Sequence, residues 1–154
     1  MTNLFQIREA TVQDLEELSE LFNQYLEFYG KNRKPEKANN FLLSNIENHH
    51  SKIFVAQKNQ QLLGFIQLYP SWSSLQMGRV WIINDLFVQA ASRQLGVGQA
   101  LMRKGIEFAK RHDAVYVELE TSKENFIAQQ LYRKLGFMIE HETYYLSLNF
   151  GEEE

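Results

Sequence analysis

The stretch LFVQAASRQLGVGQA, residues 86–100, decides how the rest of the chain reads. An apolar run ends at Val88 and a short polar loop follows. Arg93-Gln94-Leu95-Gly96-Val97-Gly98 then leads into a helical pattern beginning at about Gln99. The order is strand, glycine loop, helix. The first amides of a helix have no intrahelical partners, and the helix dipole places partial positive charge at that end. Glycines let a ligand approach the backbone with no Cβ in the way. Together these features make a cradle for an anion, most often phosphate, and Arg93 adds a cation at its mouth. The spacing is not a dinucleotide fingerprint, which needs a third glycine where Leu101 stands. Nor is it a P-loop, which needs Gly-Lys-Ser/Thr.

Composition narrows the class. A chain of 154 residues argues for one domain with a sizeable core. A net charge of −3 gives no basic footprint for nucleic acid, so none is expected as a partner. The chain has no cysteine, which removes disulfides, thiolate catalysis and cysteine-ligated zinc. The pair His49-His50 has no third ligand at a useful spacing, and no metal is expected. The start MTNLFQIREA lacks the pattern of a secretory signal, and no apolar run approaches the ~18 residues of a membrane span. The expectation is a cytoplasmic protein with no membrane partner.

Working outward, residues 4–8 read as a strand. Thr11 and Asp14 make a capping-box-like helix start, followed by Leu15, Leu18, Leu21, Phe22, Tyr25 and Phe28 at helical spacing up to Gly30. Pro35 opens a second helix with Phe41, Leu42 and Ile46 as its buried stripe. Residues 53–57 and 62–69 form a hairpin, and 70–77 form a loop carrying Trp72. Residues 79–88 are the longest strand, with few polar breaks, as suits burial on both faces at the sheet centre. A helix at 99–112 and a half-buried strand at 114–120 follow. A helix at 125–135 ends at Gly136, a C-terminal cap glycine. Strands at 137–140 and 143–148 make a last hairpin. The order is βααβββαβαββ, an α/β fold whose mixed, mostly antiparallel central sheet is flanked by helices on both faces. Only the connection through the third helix must be a parallel crossover. Residues 1–150 form a single domain, and 151–154 are an acidic tail.

The loop has the form Arg-x-x-Gly-x-Gly. A second stretch, Asn125-Phe-Ile-Ala128-Gln-Gln-Leu131-Tyr132-Arg-Lys-Leu-Gly136-Phe137, reads N-x-x-A-x-x-L-Y-x-K-x-G-F. Both stretches, in this order with a strand between them, resemble the GNAT superfamily of N-acetyltransferases. Within it, GFIQLYPSWSS and WIINDLFV look most like the diamine and histone-type branch. The resemblance implies the acyl-CoA N-acyltransferase fold, acetyl-CoA as donor, and a primary amine as acceptor: a small amine, a polyamine or a lysine-like side chain. By position it implies that the backbone of Phe87 and Val88 pairs with the pantetheine arm. The amides of Gln94, Leu95, Gly96, Val97 and Gly98, with Arg93, hold the pyrophosphate. Asn125 binds the pantetheine region or caps its helix, and Tyr132 sits at the sulfur.

The chemistry needs a neutral amine, a donor for the thioester oxygen and a proton for the leaving thiolate. A phenol of reference pKa ~10 is protonated at neutral pH and suits a thiolate of pKa ~8.5, which makes Tyr132 the candidate general acid. Many family members carry a base glutamate on this strand, on the face that alternation gives to Ile82, Asn84 and Leu86. This chain has no acid there. Asp85, the strand's one acid, falls on the other face unless a bulge re-aims it. A direct base and a water relay through Asp85, Asn84 or Glu120 both stay open. Glu27, Tyr29 and Trp72, with Asn84, are candidates for holding the amine. With no cysteine for an acetyl relay, direct attack in a ternary complex is the expected route. A non-catalytic acyl-CoA-binding module and a nucleotide-phosphate binder are the competing readings. The 143–148 strand, with Tyr144 and Tyr145, is a candidate edge for a homodimer.

Overall fold

A computed structural model describes residues 4–151, in two compact units that divide between Glu120 and Thr121. Of the acidic tail expected at 151–154, residues 152–154 lie outside the described residues.

The first unit is a five-stranded sheet in the order β1-β2-β3-β4-β5, built from Gln6–Glu9, Lys52–Lys58, Gln61–Ser73, Gly78–Val88 and Tyr116–Leu119. The first three pairings are antiparallel and β4–β5 is parallel, as the crossover through the third helix requires. The helices of this unit are α1 (Leu15–Phe28), α2 (Pro35–Glu47) and α3 (Val97–Arg111).

Side-chain alternation assigns the faces. Phe65 and Phe87 turn toward α1, where their rings meet Tyr25, with Phe22 and Phe28 alongside. Phe54 and Trp81 turn the other way, onto Phe108 of α3. Gly105 lets α3 lie close to β3, since a Cβ there would sit 3.1 Å from the Ile66 side chain. Leu18, Leu42, Val55 and Phe65 are fully buried between the sheet and the α1 and α2 side. Each such side chain contributes about 1.5–3 kcal/mol through burial.

Local chemistry sets the entries to these elements. Arg8 forks onto both Asp14 oxygens at 2.7 and 2.8 Å, and the Thr11 amide donates to Asp14 at 2.8 Å. The Arg8 hydrogen bond is the main reason the Asp14 carboxyl lies below its ordinary value. The capped segment is a 3-10 turn, Val12–Asp14, that runs into α1. Asn59, at φ 57°, makes the tight turn between Lys58 and Gln61.

Several expectations need correction. The segment 70–77 is not all loop, because β3 continues to Ser73 and pairs with Gly78. Pro70 is tolerated because β2 stops at the Lys52–Leu68 pair, so Pro70 has only β4 beside it and its missing N–H breaks no rung. The most deeply buried strand is β3, from Leu62 to Leu68, rather than β4. The α2 stripe centres on Ala38, Leu42 and Asn45, which leaves Phe41 45% exposed at its edge. α3 starts at Val97, two residues before the expected point.

The second unit holds α4, Phe126–Lys134. The strands expected at 137–140 and 143–148 are absent among the described residues, so the edge proposed for a homodimer is not a formed strand. Tyr144, Tyr145, Leu146 and Leu148 are exposed, and bonds such as Glu142 N–H to Glu140 Oε1 are local. Alternating apolar residues favour a strand only when a neighbour supplies the ladder.

Candidate active site

The β4–β5 ladder is short. It runs from Val80–Tyr116 to Ile83–Leu119 and stops, while β4 continues to Val88 against β3 alone. Over residues 84–88 the β5-facing backbone edge of β4 has no paired strand among the described residues. That edge leads into the glycine loop. Gly96 caps α3 at φ 82°, in the left-handed region that suits glycine, with nothing within 4 Å of where a Cβ would stand. Gln94 is also left-handed, at φ 67°. The Ala100 amide makes a helical bond to the Gly96 carbonyl, and the amides before it open the helix. Val97 is buried and anchors the turn, while Leu95 is 51% exposed. Gly98 lies in the first turn of α3. Arg93 folds back onto the strand: its Nε donates to the Val88 carbonyl at 3.0 Å, and its guanidinium lies 5.4 Å from the Phe28 ring and 5.7 Å from that of Phe87.

The β4 pairing slips by one residue at the point where β5 departs. Gln67 pairs with Asp85 and Leu68 with Ile83, so Asn84 has no opposite number. The bulge overturns the simple alternation of Ile82, Asn84 and Leu86. Leu86 lies opposite Ile66, on the α3 side, whereas Ile82 lies opposite Tyr69, whose hydroxyl is bonded by Asn45 of α2. Asp85 thereby joins the face of Ile82, where its carboxylate meets Gln67.

Asp85 is 5% exposed and has no shortage of donors. Gln67 Nε2 donates to Oδ2 at 2.7 Å and Asn84 Nδ2 donates to Oδ1 at 3.0 Å. The Tyr25 hydroxyl is a third donor. Burial outweighs these bonds and pushes the carboxyl above its ordinary value. Burial, reinforced by the Asp85 charge, raises the Tyr29 phenol and pushes that of Tyr69 up to about 12. Asp85 is thus a buried carboxylate among protonated phenols and amides.

The other amine-site candidates fall elsewhere. Glu27 is exposed and accepts from Arg33 Nη1 at 2.6 Å. Trp72 is 68% exposed, with the Arg79 guanidinium 4.1 Å over its ring. Tyr29 packs edge-on against Tyr25 and Phe28. Sequence reasoning missed Gln67, Asn45, Tyr25 and Tyr69. The polar Gln67 within the apolar run GFIQLYP was the signal available for the first.

In the second unit the motif reads as a helix with both ends tied. Asn125 Oδ1 accepts from the Ala128 amide at 3.3 Å, so the side chain caps α4. Gly136, at φ 99°, donates to the Arg133 carbonyl, and the Phe137 amide donates to that of Tyr132. This is a Schellman cap, and its hydrophobic contact is Tyr132 against Phe137, ring centres 6.0 Å apart.

The chain is similar to known proteins in sequence and in fold. The model of the acetyltransferase (GNAT) family matches residues 15–137. An uncharacterised N-acetyltransferase of Bacillus subtilis is 39% identical over 131 residues, 85% of this chain and 88% of the relative. A probable acetyltransferase of Haemophilus influenzae is 36% identical over 101 residues, 65% of this chain and 69% of its own. A crystal structure of a probable acetyltransferase superposes with a TM-score of 0.90 at 37% identity, covering 96% of this chain and 99% of the other. A predicted acetyltransferase of Clostridium acetobutylicum, crystallised with acetyl-CoA, shares the fold at a TM-score of 0.77 and 19% identity, over 94% of this chain and 96% of its own.

Proposed function

Because the chain belongs to the GNAT acetyltransferase family, whose enzymes are acetyl-CoA-dependent N-acetyltransferases, we propose that it acetylates a primary amine by direct attack in a ternary complex. The acceptor is a small amine, a polyamine or a lysine-like group, and the two units act as one domain. The buried Asp85 carboxylate, turned by the bulge beside the unpaired edge of β4, carries this reading.

The donor's shape fits what the first unit offers. An extended amide chain suits the open edge of β4 at Phe87 and Val88. A diphosphate suits the amides of residues 94–98, and the Arg93 guanidinium, its Nε on Val88, keeps its Nη donors to offer an anion there. When bound, acetyl-CoA supplies the acetyl group as an activated thioester. Asp85 takes the ammonium proton, directly or through a water, so that the amine is neutral for attack. As the C–N bond forms and the C–S bond breaks, Tyr132 gives its phenolic proton to the leaving thiolate, and the proton shed by the newly acylated nitrogen restores the phenol. That role is supported by its place in the capped motif and by the match of reference pKa values, ~10 against ~8.5.

The experiment is thiol release from acetyl-CoA across a panel of primary amines. Tyr132→Phe is expected to keep acetyl-CoA affinity and to lower kcat by about ten-fold or more, within the range for a lost general acid. Unchanged kcat removes Tyr132 from the mechanism. Binding of acetyl-CoA with no thiol release for any amine returns the chain to the acyl-CoA-binding reading.

A further inference from the structure

We propose that Gln67 is a positioning residue for amine acetylation: its carboxamide, clamped by Asn45 and Ser51, orients Asp85 and keeps it ready to receive the acceptor's proton. This rests on the reading of Asp85 as the group that takes that proton.

Gln67 is completely buried in the middle of β3. An isolated carboxamide there is costly, and each of its ends is matched. Nε2 donates to Asp85 Oδ2 at 2.7 Å. Oε1 accepts from Ser51 Oγ at 2.7 Å and from Asn45 Nδ2 at 3.0 Å. Asn45 Nδ2 also donates to the Tyr69 hydroxyl at 3.3 Å. The direction of this chain is set at one end. An ionised carboxylate only accepts, so Gln67 must present its NH2 to Asp85 and its oxygen to Ser51 and Asn45. Turning the carboxamide over would set oxygen against carboxylate and NH2 against NH2.

Two donors on Oε1 polarise the carboxamide and strengthen its N–H donation at the far end. The groups that face Asp85 are Tyr25 and Tyr29 from α1, Gln67 and Tyr69 from β3, and Asn84 on its own strand. α2 reaches it through Asn45 and Gln67. Burial raises the Tyr29 and Tyr69 phenols, so they hold their protons, and it raises the Asp85 carboxyl from its ordinary value. Gln67 lowers the cost of ionising it and engages Oδ2, so that the amine or its water meets the carboxylate at Oδ1, which Asn84 also holds.

The test uses the full chain, with spermidine, free lysine and a simple alkylamine as acceptor probes at saturating acetyl-CoA. The variants are Gln67→Glu, Ser51→Ala and Asp85→Asn. Gln67→Glu keeps an oxygen for Ser51 and Asn45 but sets a second carboxyl against Asp85. The acid limb of kcat/KM is expected to move up by about one pH unit or more, lowering kcat/KM on that limb roughly ten-fold. Ser51→Ala, at the far end of the chain, should move the limb the same way by a smaller amount, roughly two-fold in rate. The KM for acetyl-CoA should not change. Infrared titration of the aspartate carboxyl gives the same shifts without turnover, and a merely structural role would lower Tm without moving them. If Asp85→Asn removes the acid limb while Gln67→Glu and Ser51→Ala leave it in place, the positioning role is wrong and the role of Asp85 stands. If Asp85→Asn leaves the limb where it was, the parent reading has failed.

Discussion

Gly64→Ala tests the link between the β3–β4 rung and donor binding. A Cβ at Gly64 would lie 2.5 Å from the Phe87 carbonyl oxygen and 3.1 Å from Val88 Cα. Ordinary contact begins at 3.4 Å, so the strands must part by about 0.9 Å, and the obstacle is backbone that has no rotamer to change. Overpacking of this kind costs about 1–3 kcal/mol, and the stiffer unfolded chain returns about 0.4–1 kcal/mol. The net loss is about 1.3 kcal/mol, or roughly 3–5 °C in Tm for a chain of this size. The displaced residues are those offered to the pantetheine arm, so acetyl-CoA affinity should fall roughly ten-fold, the worth of one hydrogen bond. Gly105→Ala is the control. Its Cβ would come 3.1 Å from Ile66 Cδ1, the movable end of a side chain, and the gain in helix propensity of about 1 kcal/mol offsets the crowding. Calorimetry and acetyl-CoA titration of the two variants decide the matter. If Gly64→Ala melts within about 1 °C of Gly105→Ala and binds acetyl-CoA normally, the reasoning is refuted.

Two further outcomes follow from the site. Asp85 holds its proton more tightly folded than unfolded, so its contribution to stability is fully present below the unfolded value and is lost as pH rises through the folded one. Asp85→Asn, permanently neutral, should therefore gain in Tm relative to the parent as pH rises past the unfolded carboxyl value of about 4, and parallel curves would contradict the burial argument. Arg93→Ala should weaken acetyl-CoA binding by about five-fold or more, with an effect that shrinks as salt rises; an equal loss at low and high salt would assign Arg93 to holding Val88 alone.

What could be read in the sequence was local. The end of β4, the glycine loop and the start of α3 lie within the fifteen residues 86–100, and their turn and helix chemistry is written in neighbours. The ends of α4 were legible for the same reason, since Asn125 and Gly136 act on amides within three residues. The surroundings of Asp85 were not legible. Gln67 meets it across eighteen positions and meets Asn45 across twenty-two, and the bulge at Asn84 arises from pairing register, which no single strand encodes. Phe41 and Leu42 are neighbours in sequence but stand about 100° apart around the helix, and only the seating of α2 on the sheet decided which was covered. The alternation at 143–148 expressed a strand preference with no partner strand among the described residues.

The position of Pro70 has a consequence for how copies of this protein meet in concentrated solution. Past Leu68, β3 runs on with no strand paired to one flank among the described residues, the kind of border that invites a foreign strand to dock and seed fibrils. A ring in place of an amide hydrogen denies such a visitor a donor at that point. The same residue that a strand should dislike therefore guards against self-templated aggregation.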